Sequence, residues 1–150
     1  MRTASSKLGI AWVLLVLALA LHVADEASTG FLAVYNPTVL AMRQIVSWFP
    51  MPIFTFRTWL IGLVCAVIVL LLLSAYVFRG DRWIRPLAYL FAILMIANGL
   101  GHTAGTIMGR TVANIHFSRP MPGFYSSLFL FAASIYLLIQ LKRTSKFNSD

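Results

Sequence analysis

Acid is what this chain lacks most. Asp25, Glu26, Asp81 and Asp150 are the only carboxylate side chains among 150 residues, against 12 Lys and Arg. Charged residues of both signs make up 11% of the chain, where a soluble domain carries roughly a quarter. The polar surface needed to stay dissolved in water is therefore missing. A single cysteine, Cys65, excludes an intrachain disulfide and says nothing of the redox compartment. Its place in the middle of an apolar run predicts a packing role. No internal repeat is evident, and no polar stretch is long enough to form a soluble domain.

Hydrocarbon fills the space that charge leaves. Hydrophobic residues make up 60% of the chain, and the mean hydropathy is +0.85. Arg57 and Arg79 enclose 21 uncharged residues, Arg85 and Arg110 enclose 24, and Arg119 and Lys142 enclose 22. A helix needs about 20 apolar residues to cross roughly 30 Å of hydrocarbon. Those three runs qualify. Lys7 to Asp25 encloses 17 and qualifies if its last turn carries the acidic pair. The fold class expected is all-α: one polytopic membrane domain, a four-helix transmembrane bundle with spans at about 8–29, 58–78, 84–109 and 122–141.

The first run also has the look of a cleaved signal peptide, with a basic start and Ala18-Leu19-Ala20 as a small-x-small cleavage site. The polar residues directly after it argue for retention, because a span that carries a site has reason to stay.

The net charge of +8 does not point to nucleic acid, because the basic residues flank spans rather than forming a patch. They sort by side. Arg2, Lys7, Arg79, Arg82, Arg85, Lys142, Arg143 and Lys146 fall on one face, and Arg43, Arg57, Arg110 and Arg119 on the other. The positive-inside rule then predicts cytoplasmic N- and C-termini in a cell inner or plasma membrane. The lipid bilayer is the expected partner, and no oligomeric state follows from the sequence.

Residues 30–57 are too apolar for an ordinary loop. Asn36-Pro37 reads as an N-cap followed by proline at the first helical position. Val39, Leu40, Met42, Ile45, Val46 and Phe49 recur at helical spacing, and Pro50 and Pro52 stop the pattern. An interfacial helix between spans 1 and 2 is expected, anchored by Trp48, either as a connector or as a lid.

Two spans carry polar residues at one depth. His22, Asp25 and Glu26 stand at i, i+3 and i+4, so all three can share a helix face. Carboxylates in hydrocarbon are costly, by at least a few kcal/mol, and adjacent ones repel. Either water or a positive charge must relieve them. In span 3, Asn98 and His102 are four apart. Gly101, Gly105 and Gly109 lie on the same stripe, which predicts a close helix contact there. His22 lies 15 residues beyond Lys7 and His102 lies 17 beyond Arg85, about 22 and 25 Å at 1.5 Å per residue. Both arrive in the outer half of the bilayer.

Two imidazoles with Asp and Glu are the donor types of a Zn²⁺ or Fe²⁺ centre. The expected ligands are His22, Asp25, Glu26 and His102. Asp25 or Glu26 is then the catalytic base, and Asn98 ligates or orients His102 by a hydrogen bond. The same residues also fit a metal-free polar clamp or a proton relay. His116, in the loop before span 4, reads as a solvated histidine near the outer mouth. Ser126 and Ser127 read as helix-packing hydroxyls, with no motif that activates them.

The residues His22-x-x-Asp25-Glu26, Asn98-x-x-x-His102 and Pro122-Gly123-x-x-Ser126 together resemble the HXXEE family of small integral membrane proteins. Asp25 stands where the family motif has glutamate. By that resemblance His22, Asp25, Glu26, Asn98, His102, Pro122 and Gly123 are the positions of interest, and no reaction is named. Three functions are open at this point. One is a metal-dependent enzyme acting on a lipid or another apolar molecule. Another is a metal-free acid–base lipid isomerase. The third is a non-enzymatic binding, assembly or proton-relay protein, although few polar residues occupy the cytoplasmic half of any span.

Overall fold

The computed structural model describes residues 2–146, with side chains from 5 to 144. It is helical as expected. The helices are α1 (Arg2–Thr29), α2 (Leu32–Ile45), α3 (Phe56–Arg79), α4 (Ile84–Met108) and α5 (Phe124–Lys146). Four of them, all but α2, are long and apolar enough to cross a membrane.

The helices meet in a fixed order. α1 packs against α3 on one side and α5 on the other, α5 packs against α4, and α3 scarcely touches α4. So α1 and α4 face each other across a diagonal. Toward the N-terminal ends of the two helices Trp12 and Phe91 bridge that diagonal edge to face, with ring centroids 5.3 Å apart. The apolar core is built from the α1 face Leu8, Ala11, Trp12, Leu15 and Leu19, with Leu130, Leu137 and Leu141 from α5 and Ala88 and Ala92 from α4. Those α1 positions recur at helical spacing, which is why one stripe of an otherwise uniformly apolar helix turns inward. Small residues set the approach distances. A Cβ added to Gly9 would collide with the Phe78 ring, and one on Gly99 would lie 3.1 Å from Phe131 Cβ and 3.2 Å from the Ser127 carbonyl.

Helix ends follow local chemistry. Thr55 caps α3, accepting from Thr58 N at 3.3 Å. Gly80 and Gly109 end α3 and α4 in the left-handed region that other residues avoid. α1 ends at Gly30 (φ +77), where Phe31 N donates to the Glu26 carbonyl at 3.1 Å. That closure turns the chain sharply into α2.

A short helix does stand between spans 1 and 2, but its start differs from the expectation. Asn36 and Pro37 lie inside α2 rather than at its first turn. The Asn36 amide is used over a longer range. Its Nδ2 donates to the Phe54 carbonyl at 2.8 Å, and its Oδ1 accepts from Phe54 N at 3.0 Å. Tyr35 Oη donates to the Pro52 carbonyl and Arg43 Nη2 to the Met51 carbonyl. Together these bonds pin the segment after α2 back along the helix. Partial burial raises the Tyr35 phenol above its ordinary pKa, which keeps it a neutral donor. Trp48, at 79% exposed, stands clear of the protein as an anchor would. Cys65 does not pack in the bundle as expected. It lies on the exposed face of α3, the helix with the least of its surface against protein.

Candidate metal centre

Toward the C-terminal ends of α1 and α4 the contact across the diagonal is polar. His22 and Glu26 lie one turn apart on α1 and His102 faces them from α4; the three are 1%, 4% and 3% exposed. Nε2 of His22 is 3.3 Å from Glu26 Oε1, and Nε2 of His102 is 3.2 Å from the same oxygen. The two imidazole rings stand edge to face, centroids 4.8 Å apart and planes at 89°. The donor atoms of the three residues all fall within 4.8 Å of one another. Ligands at about 2.0–2.1 Å from a tetrahedral ion are roughly 3.3 Å apart. Both distances to Glu26 match that spacing.

The N-terminal end of α5 completes the site. Pro122 and Gly123 bring the chain into α5 with Gly123 at φ +81. A Cβ on Gly123 would lie 2.7 Å from Glu26 Cγ and 3.1 Å from Cε1 of both His22 and His102. One glycine therefore touches all three side chains, and only glycine fits. Ser126, one turn on, bridges two of the α1 residues. Its Oγ donates to Asp25 Oδ2 at 2.6 Å and lies 2.9 Å from His22 Nδ1. Asp25 Oδ2 also accepts from Ser126 N at 3.2 Å.

This bridge sets the tautomer of His22. The Ser126 hydroxyl has one proton and three acceptors within reach: Asp25 Oδ2 at 2.6 Å, the Gly123 carbonyl at 3.0 Å and, in one tautomer, His22 Nδ1 at 2.9 Å. The Asp25 carboxylate is the closest and the strongest acceptor; with the proton on that side the oxygen accepts from His22, so Nδ1 carries a proton. In a neutral ring the Nε2 lone pair then faces a Glu26 oxygen that is itself an acceptor. Neither His22 Nε2 nor Glu26 Oε1 has a hydrogen-bond partner, although both are buried. Two acceptors held together out of water call for a cation or a proton between them.

The other expected site residues distribute as follows. Asp25, expected to ligate with the others, is drawn off to Ser126 and orients His22 through it. Its position at i+3 turns it toward α5, whereas Glu26 at i+4 stays on the face shared with His22. Asn98 does not orient His102: no hydrogen bond joins them, and Asn98 Oδ1 and His102 Nδ1 are both buried without a partner. The close glycine contact of α4 is at Gly99, not Gly101. Gly101 is exposed, with nothing within 4 Å of an added Cβ. Gly105 does face protein, against Met121 and Phe117, and Gly109 serves as the helix cap. His116 is exposed in the loop, paired with Arg110 through a short backbone bridge. Ser126 does more than the packing expected of it, and Phe31 was not foreseen. Its ring lies over His102 with centroids 5.8 Å apart, and over Trp59 at 6.0 Å, covering the site on the side of α2.

No family model, curated protein or solved structure matches the chain.

Proposed function

We propose that His22, Glu26 and His102 form a divalent metal centre in a membrane enzyme that acts on a lipid-like or apolar molecule. The observation that carries this reading is the lone-pair conflict at the centre: His22 Nε2, its tautomer set by Ser126, faces the partnerless Glu26 Oε1. An ion there turns a repulsion between acceptors into coordination, and it neutralises a carboxylate that would otherwise be charged beside hydrocarbon. Two histidines and one carboxylate are also the ligand set of open catalytic centres, which keep a position for a water or substrate. A bound ion would supply Lewis-acid polarisation of an oxygen.

The chain's own residues do the rest. Ser126 and Asp25 hold the His22 ring in one tautomer and orientation. Gly123 leaves room for the donors to close, and Phe31 shields the site from water. Zinc or iron suits the donor set. The excess of Lys and Arg on the side of the termini supports an outer-leaflet position for the site with both termini cytoplasmic. The likeness to the HXXEE family rests on these same residues.

Elemental analysis of the purified full chain tests the reading. Stoichiometric zinc or iron is expected in the wild type, lost in Glu26→Gln and in His102→Ala. Metal absent from both the native preparation and one reloaded with Zn²⁺ or Fe²⁺ would end the proposal.

A further inference from the structure

Beside the centre, between α2 and the outer part of α4, lies a cavity of about 290 Å³. Asn98 and His102 border its deep end, Gly101, Gly105 and Met108 run along one wall, and Arg110 stands at its mouth. This volume is near the lower limit of small-molecule sites, roughly 300–1,000 Å³. It suits one chain rather than a two-chain lipid. The wall is open at Gly101, where an added Cβ would meet nothing within 4 Å, so a chain can enter sideways from hydrocarbon.

The two ends differ in chemistry. Asn98 and His102 line the deep end; Asn98 Oδ1 and His102 Nδ1 lie buried behind it without a partner, and His102 is 3% exposed. The mouth is cationic. Arg110 Nη1 donates to Asn114 Oδ1 at 2.6 Å, and a guanidinium has five N–H donors in all. Arg119 stands at the same end, its Nε 2.7 Å from where a Cβ on Gly109 would lie. Neither arginine meets a carboxylate within ion-pair distance among the described residues.

We propose that this cavity binds a single-chain amphiphile with an acid group, a carboxylate or a phosphate, seated with the acid at Arg110 and the chain running along α4 to His102. The proposal rests on the metal-centre reading for what happens at the deep end, and on Arg110 for which way round the ligand lies. From His102 to the end of α4 at Met108 is six residues, about 9 Å at 1.5 Å per residue. The atoms presented to the centre are therefore several bonds from the acid group.

The test is equilibrium binding of decanoate, decyl phosphate and decanol to the full chain in zwitterionic nanodiscs, with and without added Zn²⁺. Both acids are expected to bind at one saturable site, about 10-fold tighter than decanol, as a charge-assisted contact provides. Arg110→Gln, an exposed position whose variant should keep the wild-type size-exclusion profile, is expected to lower the acids to the level of decanol. Gly101→Phe is expected to block all three. Tighter binding by only one of the acids names the headgroup and supports the proposal. Decanol binding as tightly as the acids, acid binding unchanged in Arg110→Gln, or no saturable binding above protein-free nanodiscs would each overturn it. Zinc stoichiometry in the same samples reports on the metal centre separately, so failure of either idea is visible without the other.

Discussion

Gly123 and Gly30 make a matched pair for testing whether His22, Glu26 and His102 are assembled around one glycine. Both are left-handed, at φ +81 and +77. Alanine at either position costs about 1–2 kcal/mol for the backbone alone. The surroundings differ. An added Cβ at Gly30 meets nothing within 4 Å, whereas at Gly123 it lies 2.7 Å from Glu26 Cγ and 3.1 Å from both histidine Cε1 atoms. Forcing packed side chains off their rotamers costs typically about 1–3 kcal/mol. Gly30→Ala should therefore destabilise by about 1–2 kcal/mol and Gly123→Ala by about 2–5 kcal/mol. The assay is unfolding in mixed micelles, with zinc affinity read by chelator competition. Gly123→Ala should also weaken zinc by at least roughly 10-fold, since it displaces the donors themselves, and Gly30→Ala should leave affinity unchanged. Equal destabilisation, or unchanged zinc affinity in Gly123→Ala, would refute the arrangement.

Four further outcomes are expected. Ser126→Ala removes the hydroxyl between His22 Nδ1 and Asp25; chelator competition should show zinc affinity down by roughly 10- to 100-fold with stoichiometry retained. Gly99→Ala presses on Phe131 and the Ser127 carbonyl and should cost about 1–3 kcal/mol. Gly101→Ala, in open space, should be neutral or stabilising by up to about 1 kcal/mol in the same unfolding assay. Stripping metal with a chelator should lower the stability of the wild type, by about 2.7 kcal/mol relative to zinc held at 100 times its Kd.

The spans and half of the site were legible because both follow from local rules. Charge-free runs between arginines mark hydrocarbon length, and the i, i+4 spacing of His22 and Glu26 puts them on one face whatever packs against it. The match in depth of His22 and His102 came from counting residues from the nearest charge. What escaped depends on partners distant in sequence. Asp25 looks equivalent to Glu26 until α5 arrives with Ser126, 101 residues away. Asn36 has the form of a cap, but Phe54 offers it a donor and an acceptor together, and a bidentate pair outweighs one cap bond. In the glycine stripe of α4, periodicity showed that one face approaches another helix closely. It could not tell Gly99 from Gly101, because α5 rather than α1 is the neighbour. Cys65 departs from the expected packing for a related reason: an apolar run crossing lipid gives no signal of which side touches protein.

Glu26→Gln separates a metal centre from a polar clamp more sharply than any truncation. In a clamp, Glu26 is a carboxylate that accepts a hydrogen bond from His102. Replacing it with an amide loses that charge-assisted bond, at a cost of about 1.5–3 kcal/mol. In a metal centre the apo protein is already frustrated, because Ser126 leaves His22 Nε2 as a lone pair facing Glu26. An amide of nearly the same shape brings an N–H that can donate to that lone pair, and it removes a buried charge. The metal-free variant should then be at least as stable as the metal-free wild type, by up to about 1 kcal/mol for the bond gained. Added zinc should stabilise the wild type and leave Glu26→Gln unmoved. A metal-free variant about 1.5–3 kcal/mol weaker than the metal-free wild type would make Glu26 the acceptor of a histidine N–H, and the site a clamp rather than a metal centre.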